Sequence, residues 1–235
     1  MVNARFDIDF GYRRCLNTDG MRNQARLTRQ ESQAQTRQGL IDVARRVFLR
    51  RGFHAASLED IALEAAVTKG AIYSNFANKA ELFLAVLDQR VEDRLRILGA
   101  AIPPEEGIEA VARGQARAAL AQGPQGVRWI SLIVEAWTHA AGDPTLRSAL
   151  AARHDRMQDG IAAQMKGVEE TAQVTFALPV REMARATTAL LRGLLLERLL
   201  GSGRLSDDQF EATVVTFISS MTRPAGRKKS RSGDS

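Results

Sequence analysis

Residues 57–76 are Ser57-Leu-Glu-Asp-Ile-Ala-Leu-Glu-Ala-Ala-Val-Thr-Lys-Gly-Ala-Ile-Tyr-Ser-Asn-Phe76. Ser57-Leu-Glu-Asp60 is a capping box: a hydroxyl and an acid three residues on satisfy free backbone N–H groups. Leu58, Ile61, Ala62 and Ala65 then share one helical face. Ala66-Val67-Thr68 breaks this helix, and Thr68 caps a second one, Lys69 to about Phe76, with Ile72 and Phe76 at spacing four. Two helices joined by a tight turn, the second only two turns long, have the helix-turn-helix shape. The second helix is a poor purely structural helix. Lys69 sits in its first turn, where the dipole disfavours a cation by about 0.3–1 kcal/mol. Gly70 costs up to roughly 1 kcal/mol against alanine there. Tyr73, Ser74 and Asn75 form a polar strip, and Lys79 repeats the misplaced cation one helix later. All of this makes sense against DNA. Phosphates offset the cations, glycine admits close backbone approach, and hydroxyl and amide groups reach phosphates or base edges. The alternative is a solvated helix with an indifferent surface.

Upstream, Thr28-Arg-Gln-Glu31 fits a capping box. Leu40, Ile41, Ala44, Val47 and Phe48 fall on one face, with Arg45, Arg46, Arg50 and Arg51 on the other. Gly52 is a suitable stop. Downstream, Asn78-Lys-Ala-Glu81 caps a helix striped by Leu82, Phe83, Val86, Leu87, Val91 and Leu95. Pro103-Pro104 opens a helix to about Gln122, and Gly123-Pro124 opens another through Trp137. Asp143-Pro144 opens a third, ending near Lys166. Residues 167–178 read as a loop. Leu190, Leu191, Leu194, Leu195 and Leu199 mark a further helix, ended by Gly201-Ser-Gly203. Ser206-Asp-Asp-Gln209 caps the last, with Phe210, Val214, Phe217, Ile218 and Met221. No alternating strand pattern is read anywhere. The expectation is an all-α chain of about nine helices. It places a flexible extension at 1–27, a helix-turn-helix DNA-binding domain at 28–80, a helical ligand-binding and dimerisation bundle at 81–222, and a disordered basic tail at 223–235. Met21, where the pattern becomes regular, is a candidate translation start.

The chain has 235 residues, 45% hydrophobic and 26% charged, which is ordinary for a soluble globular protein. The net charge of +6 is uneven. Residues 1–56 hold 11 Arg against 5 acidic residues, residues 223–235 hold 5 basic residues against Asp234, and the middle is mildly acidic. Basic ends on an acidic body suit a polyanion partner, although many basic tails are only solvated. Lone Cys15 forms no intrachain disulfide, and His54, His139 and His154 fall at no metal-ligand spacing, so neither a metal nor a cofactor is expected. The longest uncharged stretch, Ala212 to Thr222, has 11 residues and is too short to span a bilayer. No secretory signal is read, and a cytoplasmic location is the default.

Thr36 to about Arg94 resembles the DNA-binding domain of the TetR/AcrR family of bacterial transcriptional regulators. The resemblance rests on Ala44-x-x-Val47-Phe48-x-x-x-Gly52-Phe53, then Ser57-Leu-Glu-Asp-Ile61-Ala62-x-x-Ala65-x-Val67-Thr68-Lys69-Gly70-x-Ile72-Tyr73-x-x-Phe76-x-x-Lys79-x-x-Leu82. It implies that Thr68, Lys69, Gly70, Ala71, Tyr73, Ser74 and Asn75 form the recognition surface. It makes Tyr73, Lys79 and Ser57 phosphate contacts. Ala71 stands where the family often has a hydroxyl residue, and Asn75 where it often has histidine or tyrosine. Arg26, Arg29 and Arg37 are further candidates for phosphate or minor-groove contact, or else parts of a solvated surface. The family implies a bacterial, nucleoid-associated homodimer that represses from a palindromic operator and leaves DNA when a small molecule binds.

Trp129, Ile133 and Trp137 share a face, with Met157 and Met165 on the next helix. Under the family reading they line a cavity for an apolar or aromatic effector; plain core packing is the alternative. Glu135, His139, Arg153 and His154 are the polar residues best able to orient a ligand. The candidate ligand set is therefore Trp129, Ile133, Trp137, His139, Arg153 and Met157. The last two helices, about 180–221, have broad apolar faces suited to a four-helix dimer interface. An enzyme on this bundle would need a nucleophile–base pair, a metal cluster or a cofactor loop, and none is read. A DNA-binding architectural or protein-partnered regulator without an effector is the other class that the sequence leaves open.

Overall fold

The computed structural model describes residues 29–100, 107–201 and 204–225. Several expectations lie outside those residues: the flexible reading of 1–27, Arg26, the Thr28 cap, Pro103-Pro104, Ser202-Gly203 and the tail from 226. The chain divides into two units, residues 1–36 and 37–235. Nine α-helices are described: α1 Arg29–Ala55, α2 Leu58–Glu64, α3 Lys69–Tyr73, α4 Lys79–Ala100, α5 Gly107–Leu120, α6 Gly123–His139, α7 Pro144–Ala172, α8 Val180–Glu197 and α9 Asp207–Ser220. Two three-residue strands, β1 Val174–Phe176 and β2 Thr222–Pro224, pair antiparallel with Thr175 opposite Arg223.

The caps explain most boundaries. Ser57 Oγ accepts from the Asp60 N–H at 3.1 Å, and Thr68 Oγ1 from the Ala71 N–H at 3.2 Å. Asn78 Oδ1 accepts from the Glu81 N–H at 2.9 Å, and Asp143 Oδ1 takes the Thr145 and Leu146 N–H groups. Ser206 and Gln209 form a full capping box. Three expectations are corrected. The third helix stops at Tyr73, not Phe76, because Ser74 Oγ and Asn75 Nδ2 both bond the Ala71 carbonyl, at 2.9 and 2.8 Å, and compete with helical pairing. The seventh runs past Lys166 to Ala172, carried by buried Val168, and ends at Gln173 in the left-handed region (φ 54°). The expected loop 167–178 is therefore helix to Ala172 and strand over Val174–Phe176, with only Gln173, Ala177 and Leu178 irregular. The two strands are too short to show the alternation by which strands are read.

One core joins α1–α4 and continues into α6 and α7 through Trp129, Leu132, Ala136, Leu146 and Leu150. At its centre Phe53 lies 4.8 Å from Phe83 and 6.1 Å from Phe48, ring to ring. A second core packs α5, α7, α8 and α9 around Ala112, Ala116, Met183, Phe210 and Val214. The large residues of α9 are mostly used here: Phe210, Val214 and Ile218 are buried inside the protomer. The face of α9 left outward carries Ala212, Thr213, Thr216 and Ser220. The expected broad apolar outer face is thus a small-residue face, because α5 already covers the other side.

Candidate functional site

The helix-turn-helix presents α3 outward. Ile72 is fully buried and anchors the helix, while Thr68, Lys69, Gly70, Tyr73 and Ser74 are exposed, and Ala71 and Asn75 are half-buried. Tyr73 is 49% exposed, far too much for a core aromatic. Lys69 Nζ lies 3.3 Å from Glu59 Oε1, and the Tyr73 hydroxyl donates to the same oxygen at 3.3 Å. The Glu59 carboxyl is held below the usual carboxylate range, chiefly by its own backbone N–H and then by Lys69. Ser57 is half-buried, its hydroxyl donating to Asp60 Oδ2 at 2.7 Å.

Two cations take positions the sequence does not suggest. Arg37 Nη1 donates to the Asn75 carbonyl at 2.6 Å, and its guanidinium lies 4.1 Å over the Phe76 ring. It thereby fixes the end of α3 from α1. Lys79 donates to the His54 carbonyl at 3.0 Å and sits 4.8 Å over Phe53. Burial lowers its pKa, with Glu135 opposing. Arg46 and Arg50 pair with Glu64, and Arg51 with Asp60 at 2.7 Å, so much of the basic face of α1 is neutralised by α2.

Behind this module α1 is interrupted at Gly52 (φ 82°, ψ 172°), a conformation essentially confined to glycine. The break frees the next two N–H groups, and Glu135 of α6 takes both: Phe53 N–H to Oε2 at 3.0 Å and His54 N–H to Oε1 at 2.6 Å. A Cβ on Gly52 would lie 2.5 Å from Glu135 Oε2. Glu135, considered from sequence as a ligand-orienting group, instead ties α6 to the DNA-binding helices.

The bundle contains a cavity of about 120 Å³ between α4, α5, α6, α7 and α8, the space of roughly four waters at about 30 Å³ each. Trp129, Ile133 and Met157 line it. His139 meets the Phe53 ring edge-on at 5.3 Å, and Arg153 bonds Asp88 at 2.7 Å and the Leu84 carbonyl; neither lines this cavity. Trp137, also absent from its lining, meets His154 edge-on and lies 4.5 Å from the Arg192 guanidinium. Sequence reasoning missed Arg90, Arg94 and Arg192, all of which line the cavity. A signal existed: Leu87, Arg90, Val91 and Arg94 are spaced as an inward helical stripe, with arginine at two of its positions.

An exposed short helix rigidly set on a helix-turn-helix, joined by a continuous helix to an α-helical body, defines a DNA-binding regulator. Residues 40–86 match the model of the bacterial regulatory proteins, tetR family, and residues 104–223 match the BetI-type transcriptional repressor, C-terminal model. The chain belongs to the TetR family of transcriptional regulators. It is 25% identical over 163 residues to the HTH-type transcriptional regulator UidR of Escherichia coli K12, covering 69% of this chain and 81% of that one. The fold matches a TetR-family regulator from Rhodococcus sp. with a TM-score of 0.66 at 20% identity, over 80% of this chain and 98% of the other. It also matches a transcriptional regulator from Saccharomonospora viridis in complex with choline, with a TM-score of 0.62 at 22% identity, over 79% and 96%. No helix among the described residues is long and apolar enough to cross a membrane.

Proposed function

We propose that the protein is an effector-released repressor that binds a near-palindromic operator as a homodimer. Thr68, Lys69, Gly70, Ala71, Tyr73, Ser74 and Asn75 form the groove-facing surface. Ser57 and Lys79 are the flanking phosphate contacts; the bond to His54 leaves Lys79 two further N–H donors. The dimer forms through the outward faces of α8 and α9, where Ala189, Gly193, Ala212 and Thr216 are exposed and permit close helix approach. A four-helix interface of this kind holds two recognition helices about 34–36 Å apart, one turn of DNA.

The observation that carries the reading is the pair of rods between cavity and DNA module. Cavity-lining Leu87 and Arg90 lie on α4, whose first residue Lys79 bonds the His54 carbonyl. Cavity-lining Trp129 and Ile133 lie on α6, whose Glu135 holds the Phe53 and His54 N–H groups. Both helices grip the same α1–α2 junction. A ligand that fits the cavity better in one arrangement of α4 and α6 than in the other shifts the spacing of the recognition helices. The same connection disfavours an architectural role without an effector. Selection of bound genomic DNA with the purified full chain tests the proposal. An enriched near-palindrome bound by two protomers is expected; unenriched DNA or a single half-site bound by one protomer contradicts it.

A further inference from the structure

The cavity carries three cations and, among the described residues, no acidic side chain in its lining. Arg90 and Arg94 enter from α4 and Arg192 from α8. Arg90 donates to the Gln122 side-chain oxygen and lies 5.2 Å from the Trp129 ring. Arg192 has the Trp137 ring as its neighbour. Nη1 of Arg94, Nε of Arg192 and the Thr187 hydroxyl are buried without a hydrogen-bond partner among the described residues, and all three residues line the cavity. Burial lowers the pKa of each arginine, that of Arg94 to about 10, with Arg90 as the second cause. Asp93 offsets part of the Arg90 charge from outside the lining, but no carboxylate stands among the three guanidinium groups in the cavity; desolvated like charges so placed are costly, and a bound anion relieves that cost. Ile130, Ile133, Met157 and Ile161 are among the apolar side chains that complete the lining.

We propose that the effector is an organic carboxylate on a compact apolar body, its carboxylate held by Arg90, Arg94 and Arg192. This rests on the cavity being the effector site. It adds an anionic group to the small apolar or aromatic effector expected from sequence. Guanidinium forks match carboxylate geometry, and the same three charges repel a quaternary ammonium.

The test uses the full chain without DNA and three matched probes: phenylacetate, phenylacetamide and phenethylamine, at constant ionic strength. Calorimetry and thermal shift are expected to show phenylacetate binding roughly tenfold or more tighter than the amide, with the amine weakest. Arg94→Met is expected to raise the melting temperature of the free protein, by relieving repulsion, and to abolish the carboxylate preference. Arg94→Lys keeps part of that preference. Arg192→Met serves as the second variant should Arg94→Met fail to fold. Equal or tighter binding of the amide or amine, no binding of phenylacetate at millimolar concentration, or a preference that survives Arg94→Met and Arg192→Met overturns the proposal. Operator affinity is measured separately. Release by a neutral or cationic compound, with no carboxylate preference, overturns the anion class and leaves the effector site standing. Carboxylate binding without any change in operator affinity preserves the class and removes the regulatory reading.

Discussion

Replacing Glu135 with alanine removes the acceptor of two backbone N–H groups, at 3.0 and 2.6 Å, exposed by the break at Gly52. Hydrogen bonds to a charged group contribute about 1.5–3 kcal/mol each when sheltered. Glu135 is half-buried and His54 is exposed, so water recovers part of the loss. The expected cost is about 2–3 kcal/mol for the pair, a fall in melting temperature of roughly 5–10 °C for a chain this size. Gly52→Ala adds a second element. The backbone alone costs about 1–3 kcal/mol in this region, and the new Cβ also displaces the Glu135 carboxylate, 2.5 Å away. In the Glu135→Ala background only the backbone cost remains. A double-mutant cycle, read by chemical denaturation of the free protein, is therefore expected to give a coupling of about 1–2 kcal/mol, the double variant being less destabilised than the sum. Additivity to within about 0.5 kcal/mol would show that Glu135 and the α1 break do not interact, and would remove the α6 arm of the proposed connection.

Other outcomes follow from the same geometry. Glu59→Gln frees Lys69 and Tyr73 and removes a negative charge from the DNA face, so operator affinity in gel-shift titrations should rise several-fold at low salt, with the gain shrinking as salt screens it. Arg37→Met removes the clamp on the Asn75 carbonyl: affinity should fall while the salt slope stays unchanged, and faster amide exchange at the end of α3 should accompany it, whereas a slope reduced by about one would mark a direct phosphate contact instead. His154 titrates below its ordinary value near 6.5, chiefly through burial and then through Arg192. The unfolded chain therefore binds the proton more readily, and stability should decline as pH falls below about 6.5 toward the lowered folded pKa. Melting curves of wild type and His154→Gln between pH 5 and 7 should differ in slope for that reason; parallel curves would contradict it.

Much of this was legible because caps are local. Ser57, Thr68, Asn78, Asp143 and Ser206 each bond a backbone N–H two or three residues away, and each reads correctly from sequence. The early stop of α3 depended on Ser74 and Asn75 choosing the Ala71 carbonyl, a competition that residue type allows but does not decide. The short sheet pairs residues 174–176 with 222–224, too far apart and too brief for any periodicity. The cavity draws residues from five helices. Trp129 and Ile133 stand out as aromatic and apolar on one face, but Arg192 looks from sequence like any solvated arginine. Glu135 reads as a polar group beside the apolar face; its partners lie 81 and 82 residues away and are backbone atoms, which no side-chain pattern records.

In the proposed complex α3, anchored by buried Ile72 and exposed at Thr68, Lys69, Gly70, Tyr73 and Ser74, enters a groove of DNA. The most direct test is the salt dependence of operator affinity for wild type, Lys69→Ala and Tyr73→Phe, with circular dichroism as the control for folding. Weaker binding by both variants is expected, with a log–log slope shallower by about one for Lys69→Ala, which removes a cation from the groove-facing surface. Wild-type affinity and an unchanged slope in both correctly folded variants would contradict it.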